Sequence, residues 1–137
     1  MSIFQWYQSN QYIICKLLID PYSEYKLDYN EGDTLKLNIK EKWGIEEFDA
    51  VIGNPPYNED PNITNDRHFA PVYQKWIYMF TKLSKIVMFI TPSKWFTAQD
   101  KLLTELRNYM NNCNIKYIKH FPQDNIFHNV KIKGGVS

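Results

Sequence analysis

The chain has 137 residues, of which 44% are hydrophobic and 23% are charged, and its formal net charge is +1. These values are typical of one soluble globular domain with a real core, and they exclude disordered and fibrous proteins. No apolar run approaches the ~18 residues of a membrane span. The two cysteines, Cys15 and Cys113, are far apart and have no metal-ligand spacing with any histidine. We therefore expect a cytoplasmic protein with no membrane segment and no metal site.

The first 29 residues form a poorly defined N-terminal segment. Tyr12–Ile19 is a short apolar run that suits either a strand or a helix, and Pro21 ends it. Turn residues at 30–33 then precede a short segment at 35–39. The clearer patterns begin after this point, so we expect the fold to lie within 30–137.

Two strands with a helix between them are predicted in the middle of the chain. Phe48–Gly53 (FDAVIG) predicts a buried parallel strand, which ends at two prolines because proline cannot donate to a ladder. After a polar loop at 57–68, apolar residues at 69–83 recur every three or four positions and predict an amphipathic helix. Ile86–Thr91 predicts a second buried strand.

The rest of the chain predicts one more helix and two strands. Thr97, with Asp100 three positions later, is expected to cap the helix. Strands are predicted at 115–121 and 130–136, joined by a loop and paired antiparallel. The fold class is therefore α/β, with a mostly parallel sheet, helices on both faces and an antiparallel hairpin at the C-terminal end. The helix is expected to bury Leu102, Leu103, Leu106, Tyr109 and Met110.

The predicted strand ends suggest where a ligand binds, because open α/β sheets bind ligands outside the carboxyl ends of their strands. The first strand is followed by Asn54-Pro55-Pro56-Tyr57, and the second by Pro92-Ser93-Lys94. The Asn54 amide oxygen and the Pro55 carbonyl could together accept both hydrogens of a planar amine. The prolines would fix these acceptors in place, and the flat ring of Tyr57 could stack on an aromatic substrate. A satisfied asparagine in a plain proline-rich turn is the alternative.

Four stretches of this sequence resemble, in family order, the motifs of N6-adenine-specific DNA methyltransferases of the restriction–modification (type IIG-like) methylase family. FDAVIGNPPY at 48–57 is similar to the catalytic motif, and FITPSKWF at 89–96 to the next strand-end motif. DNIFHNV with KIKGGV at 124–136 is similar to a late motif. NEGDTL at 30–35 is similar to the segment that contacts the cofactor.

The resemblance implies a partial Rossmann-like methyltransferase fold that uses S-adenosylmethionine and acts on double-stranded DNA. The target adenine would be flipped out of the duplex, because its amine is unreachable inside the stack. By the resemblance, the catalytic residues are Asn54, Pro55, Pro56 and Tyr57. Cofactor contacts would come from Asp33, Thr34 and Asn54, and base contacts from Tyr57, Phe127 and Lys133. For Asp33, a plain Gly-Asp turn is the alternative.

The sequence departs from the family in its cofactor half. None of the five glycines forms the expected Phe-x-Gly-x-Gly loop, and Asp20 follows an apolar run without the partners of an acidic ribose contact. We therefore expect 30–137 to be the catalytic half of a methyltransferase domain, without the glycine loop and the target-recognition domain. Further methylase or nuclease parts would then lie on a longer chain or on a partner subunit.

Several functions stay open at this stage. The chain could be a DNA-binding remnant or a subunit that a partner completes. The acceptors of the Asn-Pro-Pro-Tyr tetrapeptide suit any planar amine. An RNA base or a protein glutamine is therefore an alternative substrate, and the amine of cytosine is a minor alternative. The residues of 89–96 and 124–136 favour DNA, by association with restriction–modification systems.

Overall fold

The computed structural model describes residues 2–5, 17–18, 20–24, 26–29, 32–58, 70–122 and 135–137. The chain divides into two compact units, Met1–Ile45 and Glu46–Ser137. Among the described residues, none of the helices has the length and hydrophobicity needed to cross a bilayer. Of the predicted loop at 57–68, residues 59–68 lie outside the described residues. Of the apolar run at 12–19, only residues 17 and 18 are described, and they are helical.

The first unit contains a pair of parallel strands and a short helix. Strands β1 (Ser2–Gln5) and β2 (Lys26–Tyr29) pair in parallel. A single 3₁₀ turn at Thr34–Lys36 precedes helix α1 (Ile39–Trp43). The Asn38 side chain accepts a hydrogen bond from the Glu41 N–H at 3.2 Å and caps α1, as expected of asparagine at that position.

The second unit is built on a strand–helix–strand crossover. Strand β3 (Phe48–Gly53) leads through helix α2 (Tyr73–Leu83) to strand β4 (Ser84–Phe89), and β3 and β4 pair in parallel. This confirms the α/β class and the parallel pairing that the sequence predicted. Helix α2 begins after Pro71, and β4 begins and ends two residues earlier than predicted.

Helix α2 covers one face of the β3–β4 pair. Phe80 of α2 lies edge-on against Phe89 of β4, with ring centroids 6.0 Å apart. The opposite face is exposed, whereas the sequence predicts that both strands are buried. Ile52, Ile86 and Met88 are 75%, 61% and 62% exposed. No described helix of the second unit lies on this face. Its apolar side chains therefore form a surface that is open in this structure.

Helix α3 (Lys101–Asn111) completes the core of the second unit. Its N-cap is Asp100, whose side chain accepts from the Leu103 N–H at 3.0 Å, so the prediction of Thr97 as the cap was wrong. Thr97 instead ends a 3₁₀ helix at Ser93–Phe96. Leu102, predicted to be buried, is 44% exposed. The core cluster consists of Tyr73, Ile77, Trp95, Leu103 and Leu106.

The predicted strand at 115–121 was wrong for all but its last residue. Residues 114–120 have no regular secondary structure, and Phe121 alone forms an antiparallel bridge, to Val136. Among the described residues, the only strand partner of this segment is Val136, and within the segment it pairs with Phe121 alone. The predicted strand at 130–136 falls mostly outside the described residues, but Val136 also bridges Pro92 in antiparallel fashion.

Candidate active site at the carboxyl ends of the parallel strands

The tetrapeptide Asn54–Tyr57 leaves β3 at its carboxyl end, as the sequence predicted. The last ladder contact is a hydrogen bond of 3.0 Å from the Ile90 N–H to the Gly53 carbonyl. Pairing stops there because Pro55 and Pro56 have no N–H to donate. Pro55 is buried and anchors the turn, whereas Asn54 and Pro56 are exposed.

Two hydrogen-bond acceptors at this strand end are open. The Asn54 side chain is exposed, and in the part of the chain that the structure describes no hydrogen bond uses the Pro55 carbonyl. These oxygens come from adjacent residues and are held by the fixed φ angles of the two prolines. The arrangement can therefore accept two N–H groups from one planar ligand.

Tyr57 is half-buried beside these acceptors. Its hydroxyl is buried and has no hydrogen-bond partner among the described residues. Burial raises the pKa of the phenol, and the nearby Asn54 side chain offsets part of that rise without reaching hydrogen-bond geometry. The Tyr57 carbonyl accepts from the Val72 N–H at 3.0 Å, and Asn58 bridges Pro71. The start of α2 therefore holds the backbone of the tetrapeptide.

The second strand end is tied to the last residues of the chain. Thr91 exchanges two backbone hydrogen bonds with Ser137, of 2.7 and 2.8 Å, and the Ser93 N–H donates to the Gly135 carbonyl at 3.0 Å. Two of the motif-like stretches, at 89–96 and 124–136, are thus brought together. Thr91 and Ser93 are buried, so their role in this structure is to hold that junction.

His120 joins this junction, and only the basic charge of the surrounding sequence pointed to it. Its Nδ1 lies 2.8 Å from the Ser93 hydroxyl, and its ring stands edge-on to Phe96 at 5.6 Å.

Arg107 of α3 is a second residue that sequence reasoning missed. Its guanidinium donates to the carbonyls of Trp95, Phe96 and Ala98, at 3.0 to 3.1 Å.

The predicted cofactor residues Asp33 and Thr34 belong to the first unit. One Asp33 carboxylate oxygen accepts from the Leu35 N–H at 3.0 Å, and the other pairs with Lys36 at 3.4 Å. The carboxylate therefore caps a turn, which is the alternative role that the sequence allowed. Thr34 is buried, and its hydroxyl has no hydrogen-bond partner in the described part of the chain.

A cavity of about 360 Å³ adjoins Asp33. It is open to solvent, and its volume suits a small polar ligand. Among the described residues no group of histidine, cysteine, aspartate and glutamate side chains is arranged to hold a metal ion. The cavity is lined by Gly32, Asp33, Lys36, Leu37, Asn38, Glu41 and Lys42.

The two remaining predicted base contacts, Phe127 and Lys133, lie outside the described residues. Their roles stay predictions. The described part of the candidate site therefore consists of the tetrapeptide after β3 and the junction after β4.

Comparisons with known proteins bear on what this site does. The family model described as Eco57I restriction-modification methylase matches residues 5–127. An uncharacterized adenine-specific methylase of Mycoplasma pneumoniae (strain ATCC 29342 / M129 / Subtype 1) is 28% identical over 116 residues, which are 82% of this chain and 28% of that protein. The chain thus spans less than a third of that relative. No solved structure matches the chain.

The match covers strands β3 and β4, helix α2 between them, and the tetrapeptide that follows β3. It confirms the resemblance to restriction–modification adenine methylases that the sequence motifs indicated. Because the family model covers most of its length, the chain belongs to the Eco57I restriction-modification methylase family.

Proposed function

We propose that this chain carries the target-base half of a site that methylates the exocyclic amine of adenine in double-stranded DNA, with S-adenosylmethionine as the methyl donor. The observation that carries the proposal is the Asn54–Tyr57 turn at the carboxyl end of β3, where the Asn54 amide is exposed and no described residue donates to the Pro55 carbonyl. Family membership, and a relative whose printed name is adenine-specific methylase, support the choice of adenine.

The chemistry explains why two acceptors are useful. The lone pair of the adenine amine is delocalised into the ring, so the nitrogen is a poor nucleophile. When the Asn54 oxygen and the Pro55 carbonyl accept its two hydrogens, the nitrogen moves toward a tetrahedral geometry and its lone pair becomes available. Acceptors that are already fixed in place lower the barrier because they need little reorganisation during the reaction.

Tyr57 is proposed to stack on the flipped adenine, with Phe127 and Lys133 contacting the base from elsewhere. The base must leave the duplex for its amine to be reached. Stacking on an aromatic side chain stabilises a bound base by roughly 1–3 kcal/mol. Because none of the described residues forms a hydrogen bond with the Tyr57 hydroxyl, the ring is the part of the side chain that we expect to contact the base.

The part of the site that would hold the methyl donor is less complete. Bound S-adenosylmethionine would supply a methyl group on a positively charged sulfur, open to in-line displacement by the amine. Asp33, Thr34 and Asn54 are proposed to contact it, and an open depression of about 360 Å³ lies beside Asp33. The chain has no Gly-x-Gly sequence to hold the rest. A complete donor site would therefore need further polypeptide.

The direct test is methyl transfer from labelled S-adenosylmethionine to mixed-sequence duplex DNA. Asn54→Ala should lower the rate by about 10²–10³-fold, the usual effect of removing one group that stabilises developing charge. Asn58→Ala is the matched control, because Asn58 is an exposed asparagine just beyond the turn and bridges through its backbone. Equal activity of the Asn54→Ala variant and the wild type would refute the proposal.

A second readout applies if transfer by this chain is undetectable. Duplex DNA with 2-aminopurine at target positions reports base flipping by fluorescence. Tyr57→Ala should abolish the signal, and Tyr57→Phe should retain it. The absence of any flipping signal from the wild type would count against the assignment. Parallel assays with RNA and with protein acceptors separate DNA from the other planar amines, since transfer to one of those alone would overturn the choice of DNA.

A second candidate function has its own observation. The exposed apolar face of the β3–β4 pair is what a subunit would show if another polypeptide completed it. In that case the chain would be an inactive DNA-binding part. Methyl transfer that appears only after mixing with a protein that carries the glycine loop would favour this function over the first.

A further inference from the structure

A basic segment, residues 116–120 (KYIKH), lies on the surface of the second unit. Lys116, Lys119 and His120 are exposed, and Tyr117 is 77% exposed. These residues belong to no helix or strand. The basic segment therefore presents three basic side chains and one phenol to solvent within five positions of the chain.

The lysines of the basic segment lack acidic neighbours. Elsewhere in the second unit, Lys85 lies 2.8 Å from the Asp49 carboxylate. Residues 106–123 include no aspartate or glutamate, and neither lysine of the basic segment forms a salt bridge with a described residue. The Lys119 ammonium lies 4.8 Å from the ring centroid of Phe121, a contact that leaves its charge in place. A surface with unbalanced positive charge attracts anions, whereas a surface of mixed charge largely neutralises itself.

His120 is held in one orientation at the end of the basic segment. Its Nδ1 lies 2.8 Å from the hydroxyl of Ser93, which is a buried residue, and its ring stands edge-on to Phe96. When Nδ1 accepts from that hydroxyl, Nε2 carries the hydrogen and can donate to an anion. Because His120 is exposed, such a ligand can approach its ring from solvent.

The basic segment ends at the same edge of the sheet as the candidate site. His120 contacts Ser93, which follows β4, and β4 pairs in parallel with β3, which the tetrapeptide follows. Neighbouring strands lie only about 4.8 Å apart, whereas one turn of a DNA duplex is about 34 Å long. A duplex that reaches the tetrapeptide is therefore long enough to reach the basic segment as well.

We propose that the basic segment binds the phosphate backbone of duplex DNA beside the target base. The choice of DNA as the partner rests on the proposed function. Lysine side chains neutralise phosphates, and tyrosine hydroxyls donate hydrogen bonds to phosphate oxygens. Contacts of this kind position a duplex but carry no information about its sequence. The basic segment therefore adds affinity for DNA of any sequence.

The test measures binding of the full chain to a labelled mixed-sequence duplex by fluorescence anisotropy, over a series of salt concentrations. The double variant Lys116→Gln/Lys119→Gln should reduce the slope of log affinity against log salt by about 1.8, since each lost phosphate contact contributes ~0.9. Lys82→Gln/Lys101→Gln is the matched control, because it removes the same charge from two exposed lysines of the second unit. The slope of this control should equal that of the wild type. Urea unfolding checks that both variants are as stable as the wild type, as expected for exposed side chains.

An unchanged slope in the Lys116→Gln/Lys119→Gln variant would overturn the proposal. An equal reduction in both double variants would also overturn it, because net charge alone would then explain the effect. A wild-type chain that binds no duplex would do the same. A reduction seen only with single-stranded DNA would overturn the choice of the duplex.

Binding and methylation can fail separately in these measurements. If the slope falls as expected but Asn54→Ala leaves methyl transfer intact, the proposed function fails and the DNA-binding role of the basic segment stands. If Asn54→Ala abolishes transfer but the lysine variant keeps the wild-type slope, the role of the basic segment fails alone.

Discussion

Gly135 is the residue on which the C-terminal junction depends. Its φ of +78° lies in the left-handed region, and a Cβ there would clash with the Phe121 carbonyl oxygen. Any side chain would push the last residues away from Phe121. Glycine is therefore required at this position by both backbone conformation and space.

We predict that Gly135→Ala destabilises the second unit by at least ~2 kcal/mol, since a positive φ alone costs about 1–2 kcal/mol and the clash adds to it. The amides of Val136 and Ser137 should lose protection from hydrogen exchange. Gly44→Ala is the matched control, because Gly44 has a φ of +69° with nothing within 4 Å of an added Cβ. Retained protection at Val136 in the Gly135→Ala variant would contradict the prediction.

Tyr73 gives a prediction about pH. Tyr73 is 2% exposed, and no described residue forms a hydrogen bond with its hydroxyl. Burial raises the pKa of the phenol well above its ordinary value of 10.0, and the charge of Asp100 adds to that rise. A raised pKa means that the folded state favours the protonated phenol. This contribution is complete below pH about 10 and is lost as the pH rises above that value.

We expect Tyr73→Phe to leave stability at pH 7 unchanged or to raise it by up to ~1 kcal/mol, because an unpaired buried hydroxyl is removed. The loss of stability at alkaline pH should become smaller. Urea unfolding at pH 7 and above pH 10 measures both effects. A clear loss of stability at pH 7 would mean that the hydroxyl has a hydrogen-bond partner in solution.

At the scale of elements, Arg107 joins α3 to the 3₁₀ helix at Ser93–Phe96. One of its terminal nitrogens donates to the carbonyls of Trp95 and Phe96 in the short helix and to the carbonyl of Ala98 just beyond it. A charged donor is well suited to the carboxyl end of a helical turn, where carbonyl dipoles accumulate. The position of Ser93 beside His120 therefore depends on a residue of the following helix.

Replacing Arg107 with Met should destabilise the protein by roughly 1.5–3 kcal/mol, the usual value for hydrogen bonds to a charged group. Met keeps an apolar stem of similar shape, so the lost donors account for most of the change. Lys101→Met on the same helix is the control, since the Lys101 side chain is 89% exposed. Chemical denaturation measures the unfolding free energy of both variants. Similar small changes in the two would exclude the proposed stabilising role of Arg107.

At the scale of the whole molecule, the exposed face of the β3–β4 pair is the main departure from an ordinary parallel sheet. Such sheets are normally covered on both faces. Large exposed apolar patches on soluble proteins mark interaction surfaces or aggregation sites. We therefore expect the isolated chain to associate with itself as its concentration rises.

The double variant Ile52→Thr/Met88→Thr should reduce this association, as measured by light scattering. Its unfolding free energy should change by less than about 1 kcal/mol, because both side chains are mostly exposed. Val51→Thr is the control on the face that α2 covers, because Val51 is half-buried and a hydroxyl there should lower the unfolding free energy by up to about 1–3 kcal/mol. Unchanged light scattering in the double variant would show that this face does not mediate the self-association.

The sequence predicted some elements well and others poorly, for identifiable reasons. Phe48–Gly53 and the helix ending at Leu83 were found because their apolar periodicity is strong and local. The strand at 115–121 was wrong because a strand exists only where a neighbour pairs with it, and its neighbour arrives from residues near the end of the chain. The cap at Thr97 was wrong because Asp100 competes for the same helix start.

The sequence alone determined the family, the parallel crossover and the tetrapeptide after β3, because these depend on residues close together along the chain. Tertiary structure decided what depends on distant residues. It brought His120 to Ser93, Arg107 to the carbonyls around Phe96, and Gly135–Ser137 between Thr91 and Phe121. It also showed that one face of an apolar strand is exposed, since side-chain alternation cannot reveal whether a partner covers it.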